Sequence, residues 1–320
     1  MTTNKKDKPM LQDEVKNLKP IKAKRKIEFD EDGKQRIEAI GVKSLEKGAR
    51  GLMEQTPFCP DHLDQDFNPK VDKAGAKTPI FIDRTTFMQP EGSRTIFGAD
   101  NRTVYNSTAY PWGCVGRVET ALGIGSGAMI GPRHILTCAH VIDFKSDGST
   151  GWVKFSPMYY NGPNPTFGTA NGIKTYYKYK VKGSDGINST EAQYDYVVVV
   201  LDRNIGNQTG WFGAKAYTDS WDGLASWTHA GYPMDKTGAQ RPTYQNNIAL
   251  DGDALTTDAH EAIYHQGDIW PGQSGGPFWG YWSGTPYVVA VQSWQNASKN
   301  GASGGSDLLD LVNKARTEYP

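Results

Sequence analysis

The chain has 320 residues, enough for one large or two ordinary domains with their own cores and too many for a disulfide-stapled mini-protein. Its 35 basic and 35 acidic residues cancel, which removes the electrostatic footprint of a dedicated nucleic-acid binder. The longest unbroken aliphatic run, Val197 to Leu201, is far short of the roughly 20 residues of a membrane-spanning helix, so neither nucleic acid nor membrane is an expected partner.

That neutrality is the sum of two unlike parts. Residues 1–95 hold 19 Lys or Arg against 16 Asp or Glu, none of the 9 Trp or 16 Tyr, and 6 of the 36 Gly. So charge-dense and ring-poor a stretch suits a tail or a processed pro-segment better than an independent globule. Lys22-Ala23-Lys24-Arg25-Lys26 runs straight into the acidic Glu28 to Asp32 and reads as a solvated basic patch. Met1 to Leu11 lacks an apolar core, so no secretory signal is legible. Asn-x-Ser/Thr triplets at Asn101, Asn106, Asn188, Asn207 and Asn296 fit either glycan sites in a secreted product or chance triplets in polar loops.

From residue 95 onward, short apolar runs alternate with turn signals such as Asn161-Gly162-Pro163, Asn171-Gly172 and Ser283-Gly284, which predicts an all-β sandwich or barrel. Expected strands are Cys114 to Val118, Ala128 to Thr137, Tyr196 to Leu201 and Val288 to Val291. The end is predicted to be helical, with Ser306 as its cap and Leu308, Leu309, Leu311, Val312 and Ala315 on one apolar face. Of the 3 cysteines, Cys59 lies in the front segment. Cys114 and Cys138 are either bridged or two buried thiols.

Three motifs fail on context, leaving no expected cofactor or metal. Gly123-Ile124-Gly125-Ser126-Gly127-Ala128 fits a loose dinucleotide fingerprint but runs into a strand and a turn at Met129 to Pro132, not a helix. His260 and His265 are five apart, so on a helix they would not share a face as zinc ligands do. Asp251-Gly252-Asp253 lacks the remaining oxygen ligands of a calcium loop.

One constellation passes. Leu136 to His140 ends an apolar strand in a histidine, Asp195 sits at the mouth of the buried run Tyr196 to Leu201, and Gly272-Gln273-Ser274-Gly275-Gly276-Pro277 sets a serine in a glycine-flanked turn. A serine hydroxyl attacks well only when a base takes its proton; imidazole suits that role near neutral pH, and a carboxylate behind the ring fixes its tautomer. The backbone N–H groups of Gly272 and Ser274 are placed to receive a developing oxyanion. A hydrolase nucleophile elbow would put the serine before the acid and the histidine, with a helix after it; here serine comes last and β structure follows. The other reading is a non-catalytic, β-rich binding protein on a protease-derived scaffold.

The last 225 or so residues resemble the glutamyl endopeptidase (V8-like) branch of the chymotrypsin-like serine proteases. Ile96 to Thr103 followed by Asn106 to Pro111 is similar to the start of the mature enzymes. Ile130-Gly131-Pro132, Thr137 to His140, Tyr194-Asp195-Tyr196, Gly210 to Gly213, Gly231-Tyr232-Pro233, Asp235-Lys236 and Gly272 to Pro277 follow in family order. The resemblance implies two packed six-stranded antiparallel β-barrels (about 95–215 and 216–305), a C-terminal helix (about 306–317), and a secreted, monomeric serine endopeptidase acting on polypeptides. It also implies a zymogen: cleavage between Arg94 and Thr95 would remove 1–94. His140 and Asp195 would come from the first barrel and Ser274 from the second. The hydroxyl residue and the histidine to which the branch owes its glutamate preference are replaced by Ile269 and Gln292. Asp268 stands where trypsin-like enzymes keep a specificity acid, and Ser293 and Trp294 resemble the strand that pairs with substrate backbone.

Overall fold

The computed structural model describes residues 7–22, 54–73, 96–146, 149–253, 255–296 and 298–320. Among these residues fifteen strands carry the fold, in chain order β1 (Thr103–Val104), β2 (Val115–Thr120), β3 (Gly123–Gly131), β4 (His134–Thr137), β5 (Val153–Pro157), β6 (Ala170–Tyr177), β7 (Val197–Leu201), β8 (Gly213–Ala214), β9 (Trp227–Gly231), β10 (Thr243–Ile248), β11 (Leu250–Gly252), β12 (Glu261–His265), β13 (Pro277–Trp282), β14 (Thr285–Gln295) and β15 (Asn300–Gly304). The first half closes into a six-stranded barrel, β2-β3-β4-β7-β6-β5. The second half is a curled sheet in the order β1-β10-β9-β13-β14-β15-β12-β11, with β8 added beside β14. β10, next to the edge strand β1, and β11, the strand at the opposite edge, are separated by Ala249 alone, so one bent run pairs with β9 at one end and β12 at the other.

The stretch Ala128 to Thr137, expected as one strand, is the end of β3, a tight turn at Pro132-Arg133 and β4. Proline supplies no ladder donor and breaks the run. All five residues of β7 are buried, because the barrel interior takes one face and the C-terminal helix Ser306–Glu318 covers the other. Leu308, Leu311, Val312 and Ala315 join the barrel's core from that helix, each large side chain contributing about 2 kcal/mol. Ser306 does not cap it: Gly305 holds the cap position, and the N–H groups of Ser306 and Asp307 donate to the carbonyls of Asp258 and Ala259 at 2.7 Å.

Two stretches of the front segment pack on the two-sheet body instead of trailing from it. Val15 and Phe67 are buried in the main core, Met10 N–H donates to the Tyr281 carbonyl, and the buried Gln12 amide donates to the Ser226 carbonyl and the Thr228 hydroxyl. A segment too poor in large side chains to build its own core has added the few it has to an existing one.

Candidate active site

A cleft of about 550 Å³ is lined by His140 and by Gly272, Ser274, Ile269, Gln292 and Trp294 from the other sheet. His140 lies just beyond β4, in a single 3-10 turn, and Asp195 just before β7, which pairs with β4. The imidazole Nδ1 is 2.7 Å from Asp195 Oδ2, and the backbone N–H of His140 donates to Oδ1 at 2.9 Å. An ionised carboxylate only accepts, so Nδ1 carries the proton and Nε2 is left basic. The Ser293 hydroxyl donates to Asp195 Oδ2 at 2.6 Å. Burial alone would raise the Asp195 pKa, but the neighbouring His140 charge and these hydrogen bonds hold it below the ordinary carboxylate value. Burial likewise opposes protonation of His140, and Asp195 outweighs it, holding the imidazole well above 6.5.

Ser274 is half-buried on the opposite wall. Its turn needs glycine: Gly272 and Gly275 have φ of +97° and +80°, and a Cβ would strike the Tyr232 carbonyl at the first and the Thr137 hydroxyl at the second. The Pro271 carbonyl accepts from Met234 N–H and the Gln273 carbonyl from Gly276 N–H, each at 2.9 Å. In a trans peptide the N–H points opposite the carbonyl, so the N–H groups of Gly272 and Ser274 face away from these partners. Neither has a hydrogen-bond acceptor among the described residues. Among the same residues His140 Nε2 and the Ser274 hydroxyl are not hydrogen-bonded to each other; Nε2 instead lies 3.7 Å from Cys138 Sγ. Cys114 and Cys138 are buried thiols not bridged to each other, and burial raises the Cys138 thiol's pKa.

The specificity candidates divide. Ile269, Gln292, Ser293 and Trp294 line the cleft, whereas Asp268 does not. Asp268 is buried with its carboxylate turned the other way, accepting the backbone N–H groups of Phe97 at 2.9 Å and Asn101 at 2.8 Å. Gln292 is held by His265: Gly267 N–H donates to His265 Nδ1 at 3.1 Å, so Nε2–H donates to Gln292 Oε1 at 2.9 Å, and the Gln292 amide in turn donates to the Trp294 carbonyl. Burial, only partly opposed by the Gln292 bond, drives the His265 pKa down to about 3 and keeps that ring neutral. Arg94 and Thr95 lie outside the described residues.

Two residues escaped the sequence reading. Ser126, fully buried on β3, donates its hydroxyl to the Gly272 carbonyl and its N–H to the Ser274 carbonyl, both at 2.7 Å. The glycines around it, discarded as a nucleotide motif, let β3 approach that loop: a Cβ on Gly125 would stand 3.0 Å from the Ser274 carbonyl. The buried Arg102 forks onto Asp235 and Asp100 and donates Nη1–H to Gln273 Oε1 at 2.9 Å.

The barrel and its curled partner sheet form the architecture of the chymotrypsin-like serine proteases. A solved Glu endopeptidase in complex with MPD superposes with a TM-score of 0.57 at 22% identity, over 69% of this chain and 99% of that one. In sequence, the chain is 30% identical over 246 residues to the glutamyl endopeptidase of Bacillus licheniformis, covering 75% of this chain and 69% of that protein. It is 27% identical over 157 residues to an extracellular metalloprotease of Bacillus subtilis, covering 47% of each. No family model matches. The chain belongs to the glutamyl endopeptidase family and is a serine-type endopeptidase, a hydrolase acting on polypeptides. Among the described residues, no helix is long and apolar enough to cross a membrane.

Proposed function

We propose that the chain cleaves peptide bonds through an acyl-enzyme, with Ser274 as nucleophile, His140 as general base and then acid, and Asp195 as the group that orients and charges the imidazole. The observation that carries this reading is the 2.7 Å contact between His140 Nδ1 and Asp195 Oδ2, on the wall facing Ser274 across one cleft. Ser274 Oγ adds to the scissile carbonyl carbon as His140 Nε2 takes its proton. The oxyanion is received by the N–H groups of Gly272 and Ser274, either of which is worth about 100- to 1,000-fold in rate. The imidazolium returns the proton to the leaving amine, and water repeats the sequence on the ester. Labelling by a serine-directed fluorophosphonate, absent in Ser274→Ala, tests the assignment.

The specificity pocket is neutral in this reading. Asp268 faces segment 96–101, so Lys and Arg side chains find no counter-charge, and neither Ile269 nor Gln292 supplies the cation that a buried glutamate would need. The fixed Gln292 amide favours an uncharged acceptor such as glutamine.

Maturation by cleavage near Arg94-Thr95 is part of the same proposal. Asp268 and Arg102 tie the chain just downstream of that bond to the loop that carries Ser274. The described stretches of the front segment do not line the cleft, which favours control through this tether over a plug. Secretion is supported by the relative named as extracellular. A monomer accords with a cleft built from one chain.

A metal-dependent reading draws on the name of that second relative and on Cys138, His140 and Asp195, each of which offers a ligand atom within 4.8 Å of the others. Stoichiometric fluorophosphonate labelling of Ser274 separates it from the serine mechanism.

A further inference from the structure

The hairpin between β11 and β12 closes against the turn Asp219–Trp221 at the edge of the curled sheet, remote from the catalytic cleft. Carboxylate oxygens of Asp219, Asp258 and Glu261 lie within 4.8 Å of one another there. A point beside Gly252, where a Cβ would stand, is 2.6 Å from Asp219 Oδ1, 2.9 Å from Glu261 Oε1 and 3.5 Å from Asp222 Oδ1. Among the described residues no lysine or arginine forms an ion pair with any of these four acids.

Acidic side chains gather at many surfaces, but Glu261 is not at the surface. It is 1% exposed; Oε1 accepts from the Thr256 hydroxyl at 2.7 Å, and Oε2, fully buried, has no hydrogen-bond partner. Burial, and beyond it the charges of Asp219, Asp258 and Asp222, push its pKa up to about 7 against the Thr256 bond. A buried carboxylate with one oxygen unpaired, beside two further acids, is satisfied by a cation.

We propose that Asp219, Asp258 and Glu261 bind a divalent cation of the calcium class beside Gly252, stapling the β11–β12 hairpin to the 219–221 turn. The donors are all hard oxygens, with no histidine or cysteine to favour zinc. They come from the 219–221 turn and the β11–β12 hairpin, and Asp219 and Asp258 are exposed to water, which suits calcium's larger, looser coordination better than magnesium's octahedron. Asp251 and Asp253 are not the ligands; the fold gathers the ligands around Gly252 from about 30 residues upstream and 6 to 9 downstream. This inference is independent of the serine mechanism.

The test uses the full chain stripped with EGTA. Tb³⁺ is added and its emission is read through excitation of tryptophan, Trp221 lying two residues from Asp219. Saturable emission displaced by Ca²⁺ at about 10⁻⁴ to 10⁻³ M is expected. Millimolar Ca²⁺ is expected to raise the Tm by about 5 °C. Asp219→Asn and Asp258→Asn, at exposed positions that leave the core intact, are expected to weaken Ca²⁺ binding about tenfold or more, and Asp251→Asn to leave it unchanged. After proteolytic maturation, fluorophosphonate labelling of Ser274 should persist in all three variants, so failure of the cation site is distinguishable from failure of the protease reading. Absence of saturable emission, or Ca²⁺ affinity and Tm response unchanged in both Asp219→Asn and Asp258→Asn, overturns the proposal.

Discussion

Ser126 donates its backbone N–H to the carbonyl oxygen of Ser274 at 2.7 Å, so a strand of the closed barrel grips the proposed nucleophile of the other sheet directly. The same residue's hydroxyl donates to the Gly272 carbonyl and accepts from Tyr232 N–H at 2.9 Å. Ser126→Ala keeps the first bond and strands two buried backbone groups, at about 1–3 kcal/mol each. Because one of them belongs to the loop proposed to receive the oxyanion, kcat is expected to fall by about tenfold or more with KM little changed. A variant that loses only thermal stability would assign Ser126 to the core alone.

Asp195 is expected to control the acid side of the pH profile. It holds the His140 pKa above 6.5, and the base form of His140 is the active one, so kcat/KM should rise with pH through a midpoint above 6.5. In Asp195→Asn the midpoint should drop, and kcat with it by about 10⁴-fold, because the ring loses its tautomer and its counter-charge. An unmoved midpoint separates Asp195 from the titration.

Arg102 is expected to couple the chain after residue 95 to the Ser274 loop. Arg102→Lys keeps the charge but not the fork that holds Asp235, Asp100 and Gln273 together. It should lower kcat and slow fluorophosphonate labelling in parallel; Gln273→Glu, which keeps an acceptor, should retain more of both. Burial works to raise the Asp100 pKa, but its bonds to Arg102 and Lys236 bring it down to about 2. A depressed folded-state pKa stabilises above the unfolded value, so this node's contribution is complete above about pH 4 and lost between 4 and 2. Stability in Arg102→Lys should depend less on pH across that window.

Substrate choice is expected to turn on Gln292. A peptide library should show cleavage after glutamine exceeding that after lysine or arginine. Gln292→His should raise the glutamate-to-glutamine ratio by about tenfold, the worth of one hydrogen bond to a charged group. Strong cleavage after lysine by the unaltered chain would mean that Asp268 reaches the cleft after all.

Local chemistry made much of this readable. β7 is five consecutive aliphatic residues, which only a strand covered on both faces explains, and the apolar face of the C-terminal helix is periodic. His140, Asp195 and Ser274 were legible because each ends an apolar run or sits among glycines. Direction and partnership were not. Asp268 has the position of a specificity acid, but its carboxylate is claimed by amides of segment 96–101, more than 160 residues earlier. The glycines around Ser126 were visible without the loop they admit. The acids around Gly252 come in two groups, one at 219–222 and one at 258–261, so no spacing rule could gather them.

The central claim is tested most directly by reacting the proteolytically matured enzyme with a fluorophosphonate and locating the adduct by mass spectrometry while following peptide hydrolysis. One adduct per chain on Ser274, formed in step with loss of activity and absent from inactive Ser274→Ala, is the predicted result. Undiminished hydrolysis by Ser274→Ala, or a fully active enzyme carrying the adduct, would contradict it.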